Sequence, residues 1–166
     1  MNTTRRRMAL LAAGIAAVGK AHDDENPPAI SRTALIHGTA GPFAVAGYLM
    51  GEHALARLGL ERGSMDLEVV HHSPANARWS SIVDGLQAST GASLGKLNLR
   101  RADSNRTYSV VRNRRTGQAL RFSLRPGFLA RFAEVPPAKL HEAGTRVSEL
   151  DPSAVFEAQD AGARRG

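Results

Sequence analysis

The sequence predicts an α+β domain whose elements run helix, strand, helix and then three strands. Two patterns carry this reading. Apolar residues recur at three-to-four spacing in two stretches that each stop at a glycine, Pro42 to Gly59 and Ala77 to Gly91, while shorter alternating or β-branched runs fill the remainder. Size is the third observation: 166 residues, 42% of them hydrophobic, suit one domain with a modest core.

Taken in order, Thr33 to Ile36 reads as a short apolar segment and Gly38 and Gly41 as a loop. Pro42 is expected to open a helix, because its missing N–H is lost at a helix start in any case. Val45, Tyr48, Leu49, Leu55 and Leu58 form the apolar stripe of that helix, the small residues Ala44, Gly47 and Gly51 permit close packing, and Gly59 ends it. Met65 to His71 predicts a strand, which Ser73-Pro74 breaks. The second helix spans Ala77 to Ser89 and closes at Gly91. Three strands are expected next: Lys96 to Arg101 with Leu97 and Leu99 inward, Thr107 to Asn113, and Gln118 to Leu124 after a turn at Arg114-Arg115-Thr116-Gly117. A Pro126-Gly127 break, a Phe128 to Phe132 segment, Pro136-Pro137 and a short helix capped by Asp151 predict an appendage whose last residues, Ala161 to Gly166, fray.

The N-terminus reads as an export signal. Arg5-Arg6-Arg7 precedes the ten-residue apolar run Ala9 to Val18, and Gly19-x-Ala21 supplies small residues for cleavage. The arginines suggest the twin-arginine route, with a general secretory signal as the alternative. Ten residues are too few for a bilayer core of roughly 30 Å, so no membrane span is expected after cleavage. The expected organisation is therefore a signal at 1–21, a flexible, acidic, proline-containing lead-in at 22–32, an α+β domain at 33–135 and a C-terminal tail with a short helix at 136–166. Removing residues 1–21 leaves 18 Lys and Arg against 15 Asp and Glu, a net +3. That balance argues against nucleic acid, since the arginines from Arg100 to Arg121 fall on hairpin strands with Tyr108 their one aromatic neighbour. An exported domain without cysteine has no disulfide and relies on its core.

The densest functional signal is Ile82 to Leu99, where Asp84-x-x-Gln87-x-x-Thr90-Gly91 runs on into Gly95-Lys96-x-Asn98-Leu99. Together with His37-Gly38 followed by Gly41-Pro42, it resembles the FmdE-like family of formylmethanofuran dehydrogenase components, over roughly residues 33 to 125. The resemblance implies a two-layer sandwich with a mixed sheet, in the same element order. It also implies, for relatives with cysteines in the first loop, before the Asp helix and after Thr-Gly, a metal site, with zinc the first candidate. This chain has Gly41, Ser81 and Ala92 at those places, so the resemblance carries over only His37 and Asp84 as ligands.

The residues themselves leave several readings open. His37 and His71 are expected at strand ends whose tips converge with Asp84 on one divalent metal, zinc or another, although His71 and His72 point to opposite faces and only one can join. His53, beside Glu52, is expected to be solvated. An organic anion is the other candidate ligand, held by Thr90, Lys96 and Asn98 beside the Gly38–Gly41 loop and the helix start. Gly91 to Lys96 is not a nucleotide loop, because it is one residue short and follows a helix instead of a strand. Ser80 or Ser81 with a histidine base gives a hydrolase alternative. The resemblance gives two more, a component of an oxidoreductase and a structural partner that docks an exported redox enzyme through the Arg-rich hairpin. The leading expectation is an exported domain that binds a small ligand, or weakly a divalent metal, without catalysing; homo-oligomers stay open.

Overall fold

The structure, a computed structural model, describes residues 26–162. The signal at 1–21, the start of the lead-in and residues 163–166 lie outside the described residues. Helix α1 is Pro28–His37 and α2 is Pro42–Leu58. Strand β1 (Leu67–Ser73), helix α3 (Ala77–Thr90) and strands β2 (Leu99–Asp103), β3 (Tyr108–Asn113) and β4 (Ala119–Leu124) follow. The chain then forms α4 (Pro126–Phe132), a short 3-10 turn at Pro137–Lys139, α5 (Leu140–Ser148), the single turn α6 (Pro152–Val155) and β5 (Phe156–Asp160).

The five strands form one mixed sheet in the order β2-β1-β3-β4-β5. Only β1 and β2 are parallel, because α3 carries the chain between them; the other neighbours are antiparallel. Alternation puts Leu67, Val69 and His71 of β1, Val111 of β3, and Leu120 and Phe122 of β4 on the buried face, against the helices. The fold is thus α+β with a mixed sheet, and its central order matches the sequence pattern.

Helices α2 and α3 approach backbone to backbone. A Cβ at Gly85 would overlap the Ala44 carbonyl oxygen, one at Gly47 would overlap that of Ile82, and one at Gly51 would strike Ser89. These pairings place the starts of the two helices together at one end of the molecule and their ends together at the other. The 14 residues of α3 separate those poles by about 21 Å at the helical rise.

Several local expectations differ. Residues 28–37 are a helix, where a lead-in to residue 32 and an apolar segment at Thr33 to Ile36 are expected. Pro28 sits at N1, Ala29, Ile30 and Thr33 are buried on one face, and Gly38 at φ +83 ends the helix. Local composition hides this stripe, because its partners lie on α2 and α3. His37 therefore ends a helix, not a strand. Strand β2 starts at Leu99, and Leu97 points out, 85% exposed, with φ +53. The C-terminal stretch does more than append a short helix: α5 packs against α2, and β5 adds to β4 with Phe156 opposite Leu124 and Asp160 opposite Leu120. His53 is not a solvated helix residue. It packs edge-on against Phe122 and Phe156, with its Nε2 buried and unpartnered, and burial lowers its pKa. This residue of the last turns of α2 faces the sheet because β4 and β5, distant in sequence, lie beneath it.

Candidate functional site

His37 and Asp84, 47 residues apart, meet because α1 ends where α3 passes. His37 donates Nδ1–H to Asp84 Oδ2 at 2.7 Å. A carboxylate only accepts, so Nδ1 carries a proton, and Nε2 is left without a partner, an acceptor in the neutral ring and a donor in the protonated one. Both side chains are about a third exposed, at 31% and 35%. His37 also lines a cavity of about 230 Å³, together with Gly41 of the loop and Arg78 and Ser81 of α3. Phe43, Phe132 and Leu140 give that cavity an apolar wall.

The walls are held rigidly. Asn76 caps α3 by accepting from the Trp79 N–H at 3.2 Å. Trp79 packs edge-on against Phe43 at 5.2 Å, and Phe43 against Phe128 at 5.6 Å. Gly144 of α5 sits so near the loop that a Cβ there would overlap the Ala40 carbonyl oxygen. Gly41 and Ser81, the cysteine positions of the resemblance, both border the cavity beside His37. Ala92 does not. It lies past the αL cap Gly91, and the stretch of α3 from Ser81 to Thr90 already spans about 14 Å.

His71 is brought to neither His37 nor Asp84. It is fully buried beneath the first turn of α3, where its Nε2–H donates to the Trp79 carbonyl at 3.0 Å and the Ser109 hydroxyl donates to its Nδ1 at 2.8 Å. Burial pulls its pKa down to about 4, which keeps the ring in the neutral form those two bonds require. The converging-tips expectation for His71 fails because its inward register aims it under α3 instead of at the sheet edge. Among the described residues no three His, Cys, Asp or Glu side chains assemble as a metal site. A divalent cation at this pole has His37 Nε2 as its one imidazole donor, with Asp84 already bonded to the same ring.

Thr90, Lys96 and Asn98 lie at the opposite pole from Gly38 and Gly41, so the expected joint anion site is split. Thr90 donates its hydroxyl to the Leu86 carbonyl and accepts from the Ala92 N–H. Asn98 Oδ1 accepts from the Ser93 N–H at 2.9 Å, and Lys96 Nζ reaches the Gly63 carbonyl at 3.5 Å. Helix α3 lies between the two halves of the expected site. Ser80 and Ser81 bond back to their own helix, to Asn76 O and Arg78 O at 2.8 Å each. No hydrogen bond among the described residues joins either serine to a histidine.

Sequence reasoning missed Arg78, Phe132 and Leu140 as pocket residues. The apolar run at Phe128 to Phe132 was a signal, but nothing local says that it returns to the His37 loop. Comparison with curated proteins finds no matching relative. A family model described as FmdE, Molybdenum formylmethanofuran dehydrogenase operon, matches residues 36–159.

Proposed function

Because the chain belongs to the FmdE family, with the family model covering the loop, α2, α3 and the whole sheet, we propose that it is a binding domain for a small organic acid at the His37 pole. One observation carries the reading: an Asp84-oriented imidazole with a free Nε2 stands at a cavity of about 230 Å³ whose far wall is apolar. An apolar body fits against Phe43, Phe132 and Leu140, and the carboxylate of an acid then faces the Arg78 guanidinium and His37, whose Nε2 donates to it once the ring holds a second proton. Arg78 is held 3.3 Å from Glu134, a carboxylate that is 88% exposed and free to swing away when a ligand anion competes for the guanidinium.

Binding is favoured over hydrolysis because the Ser81 hydroxyl is spent on the Arg78 carbonyl and no hydrogen bond among the described residues joins it to a base. It is favoured over tight metal binding because tight zinc sites use three or four protein ligands. The test is an amide-shift titration with benzoate, run beside metal analysis of the purified protein. Benzoate should shift the signals of His37, Ser81 and Leu140, and His37→Ala should abolish the shifts. Stoichiometric zinc that is lost in His37→Ala would replace the acid reading with the metal one, and no shift with benzoate or aliphatic acids would end the acid reading.

Export and an accessory role beside a redox enzyme belong to the same proposal, resting on Arg5–Arg7, the Ala9–Val18 run and the family. N-terminal sequencing of protein recovered outside the cytoplasm should give a start near His22. Full-length chain found solely in the cytoplasm would refute export.

A further inference from the structure

The pole opposite His37 carries the largest exposed apolar side chains outside α1. Leu97 is 85% exposed, Leu94 72% and Met65 63%. Leu94 and Leu97 belong to one tight turn, closed by the Leu97 N–H on the Leu94 carbonyl at 3.0 Å. Among the described residues Leu97 is the one non-glycine with positive φ, at +53. A left-handed backbone is strained for any side chain with a Cβ. The chain thus holds a leucine in a conformation that suits glycine and aims it at solvent.

That turn is no loose loop. Gly63 N–H bonds to the Thr90 carbonyl at 2.8 Å, Arg114 N–H to the Asp66 carbonyl at 2.6 Å, and the Arg114 guanidinium to the Leu97 carbonyl at 3.1 Å. Three loops are laced into one platform, and the apolar side chains stand on it. Cations surround them. Lys96 lies between the two leucines in sequence, and Arg62, Arg114 and Arg115 come from the flanking loops; Arg114 pairs with Glu68 at 3.8 Å and Arg115 with Asp66 at 3.4 Å, and Glu61 is the remaining nearby acid in sequence. Arg62 and Lys96 have no carboxylate partner among the described residues, since both reach backbone carbonyls instead.

We propose that the Leu94–Leu97 turn is a docking tip for an anionic lipid bilayer, with Leu94, Leu97 and Met65 entering the interface and the surrounding Lys and Arg side chains lying at the headgroups. Protruding separate leucines ringed by cations match a bilayer surface, where apolar insertion and attraction to anionic lipid add together. A flat partner protein would instead meet a continuous apolar patch with depleted charge at its core. Docked this way, the His37 pocket faces away from the membrane.

The chain contains no cysteine, so Leu97→Cys can carry a single polarity-sensitive fluorophore, and Leu35→Cys on α1, also at an 85% exposed position, carries the same label as control. Protein beginning at His22, the mature form expected after export, is mixed with phosphatidylglycerol–phosphatidylethanolamine vesicles or with pure phosphatidylcholine vesicles, so that the basic, apolar residues 1–21 add no binding of their own. The label at 97 should brighten and shift to the blue on anionic vesicles, the label at 35 should not, and raising salt from about 0.05 M to about 0.5 M should weaken the response roughly ten-fold. No response at 97, or equal responses at 97 and 35, would overturn the proposal. So would a blue shift that grows with protein concentration without vesicles, because a second copy would then be covering the leucines. In an unlabelled protein, Leu94→Ser with Leu97→Gly should lower vesicle binding about ten-fold. It should leave the thermal midpoint unchanged or raised, since glycine suits the backbone at 97. Undiminished binding by that folded variant would also overturn the proposal.

Discussion

The two ends of α3 both carry motif residues, and they differ in where their hydrogen bonds go. Toward the His37 end, Asp84, midway along α3, and the imidazole satisfy one another and still leave Nε2 without a partner beside a cavity. At the Thr90 end almost every polar group is used to hold the loop: Thr90 on Leu86 and Ala92, Asn98 on Ser93, Lys96 on Gly63. Asn98 Nδ2, buried without a partner, is the exception. A dense motif therefore has two physical uses. One displays a group and the other shapes the backbone, and spacing alone does not separate them.

The largest expected effect asks whether the His37 end alone has metal-site geometry. Gly41→Cys with Ser81→Cys should create a zinc site with His37, since both positions border its cavity and the nearest atoms to a Cβ at Gly41 are 3.8 Å away on Leu140. Zinc in about thousand-fold excess over its Kd should then stabilise this variant by about 4 kcal/mol, read as a rise in thermal midpoint. Ala92→Cys should add nothing. A zinc-dependent gain from Ser81→Cys with Ala92→Cys would mean that the two ends of α3 come closer than its length allows.

Acid should loosen the His37 end first. Burial pulls His71 from its ordinary 6.5 down to about 4, so between those values the unfolded chain binds a proton that the folded chain refuses. Stability should therefore fall as pH drops through that window, by an amount on the order of 3 kcal/mol. His53 and His72, also lowered by burial, act in the same direction. Denaturant unfolding at a series of pH values gives the slope, which His71→Gln should flatten. Amide exchange should show the first turn of α3, latched by His71 to the Trp79 carbonyl, opening before the 90–98 loop.

Smaller effects sharpen the contrast between display and architecture. Asn98→Ala should destabilise by about 1 kcal/mol, because the half-buried Ser93 N–H loses its acceptor, and should leave benzoate binding at the other pole intact. Asp84→Asn should do the reverse. The His37 pair is a third exposed, so stability should move by less than about 1 kcal/mol, whereas the imidazole loses its fixed tautomer and benzoate affinity should drop. If Asp84→Asn unfolds the protein and Asn98→Ala weakens benzoate binding, the roles assigned to the two ends are exchanged.

Much of this fold is legible in the chain. Pro42 and Gly59 bracket α2, Asn76 and Gly91 bracket α3, and the alternation of Tyr108 to Asn113 gives β3, because capping, proline geometry and period-two burial act over a few residues. Helix α1 and strand β5 are not legible in the same way. Ile30 and Thr33 are buried by helices that follow later in the chain, and Phe156 by β4 and His53, so their signals exist only once those partners are in place.

The sequence by itself determined the central element order from α2 to β4, which rests on short-range pattern, and the family, whose resemblance implied that His37 and the Asp84 helix share a site. Tertiary structure alone decided what the polar residues do. It brought Leu140 and Phe132 to the His37 loop, buried His71 under α3, turned His53 onto Phe122 and Phe156, and set about 21 Å of helix between the Gly41 and Thr90 ends. The reason is that a side chain's role depends on which donors and acceptors remain unused after packing, and those partners come from segments many residues away.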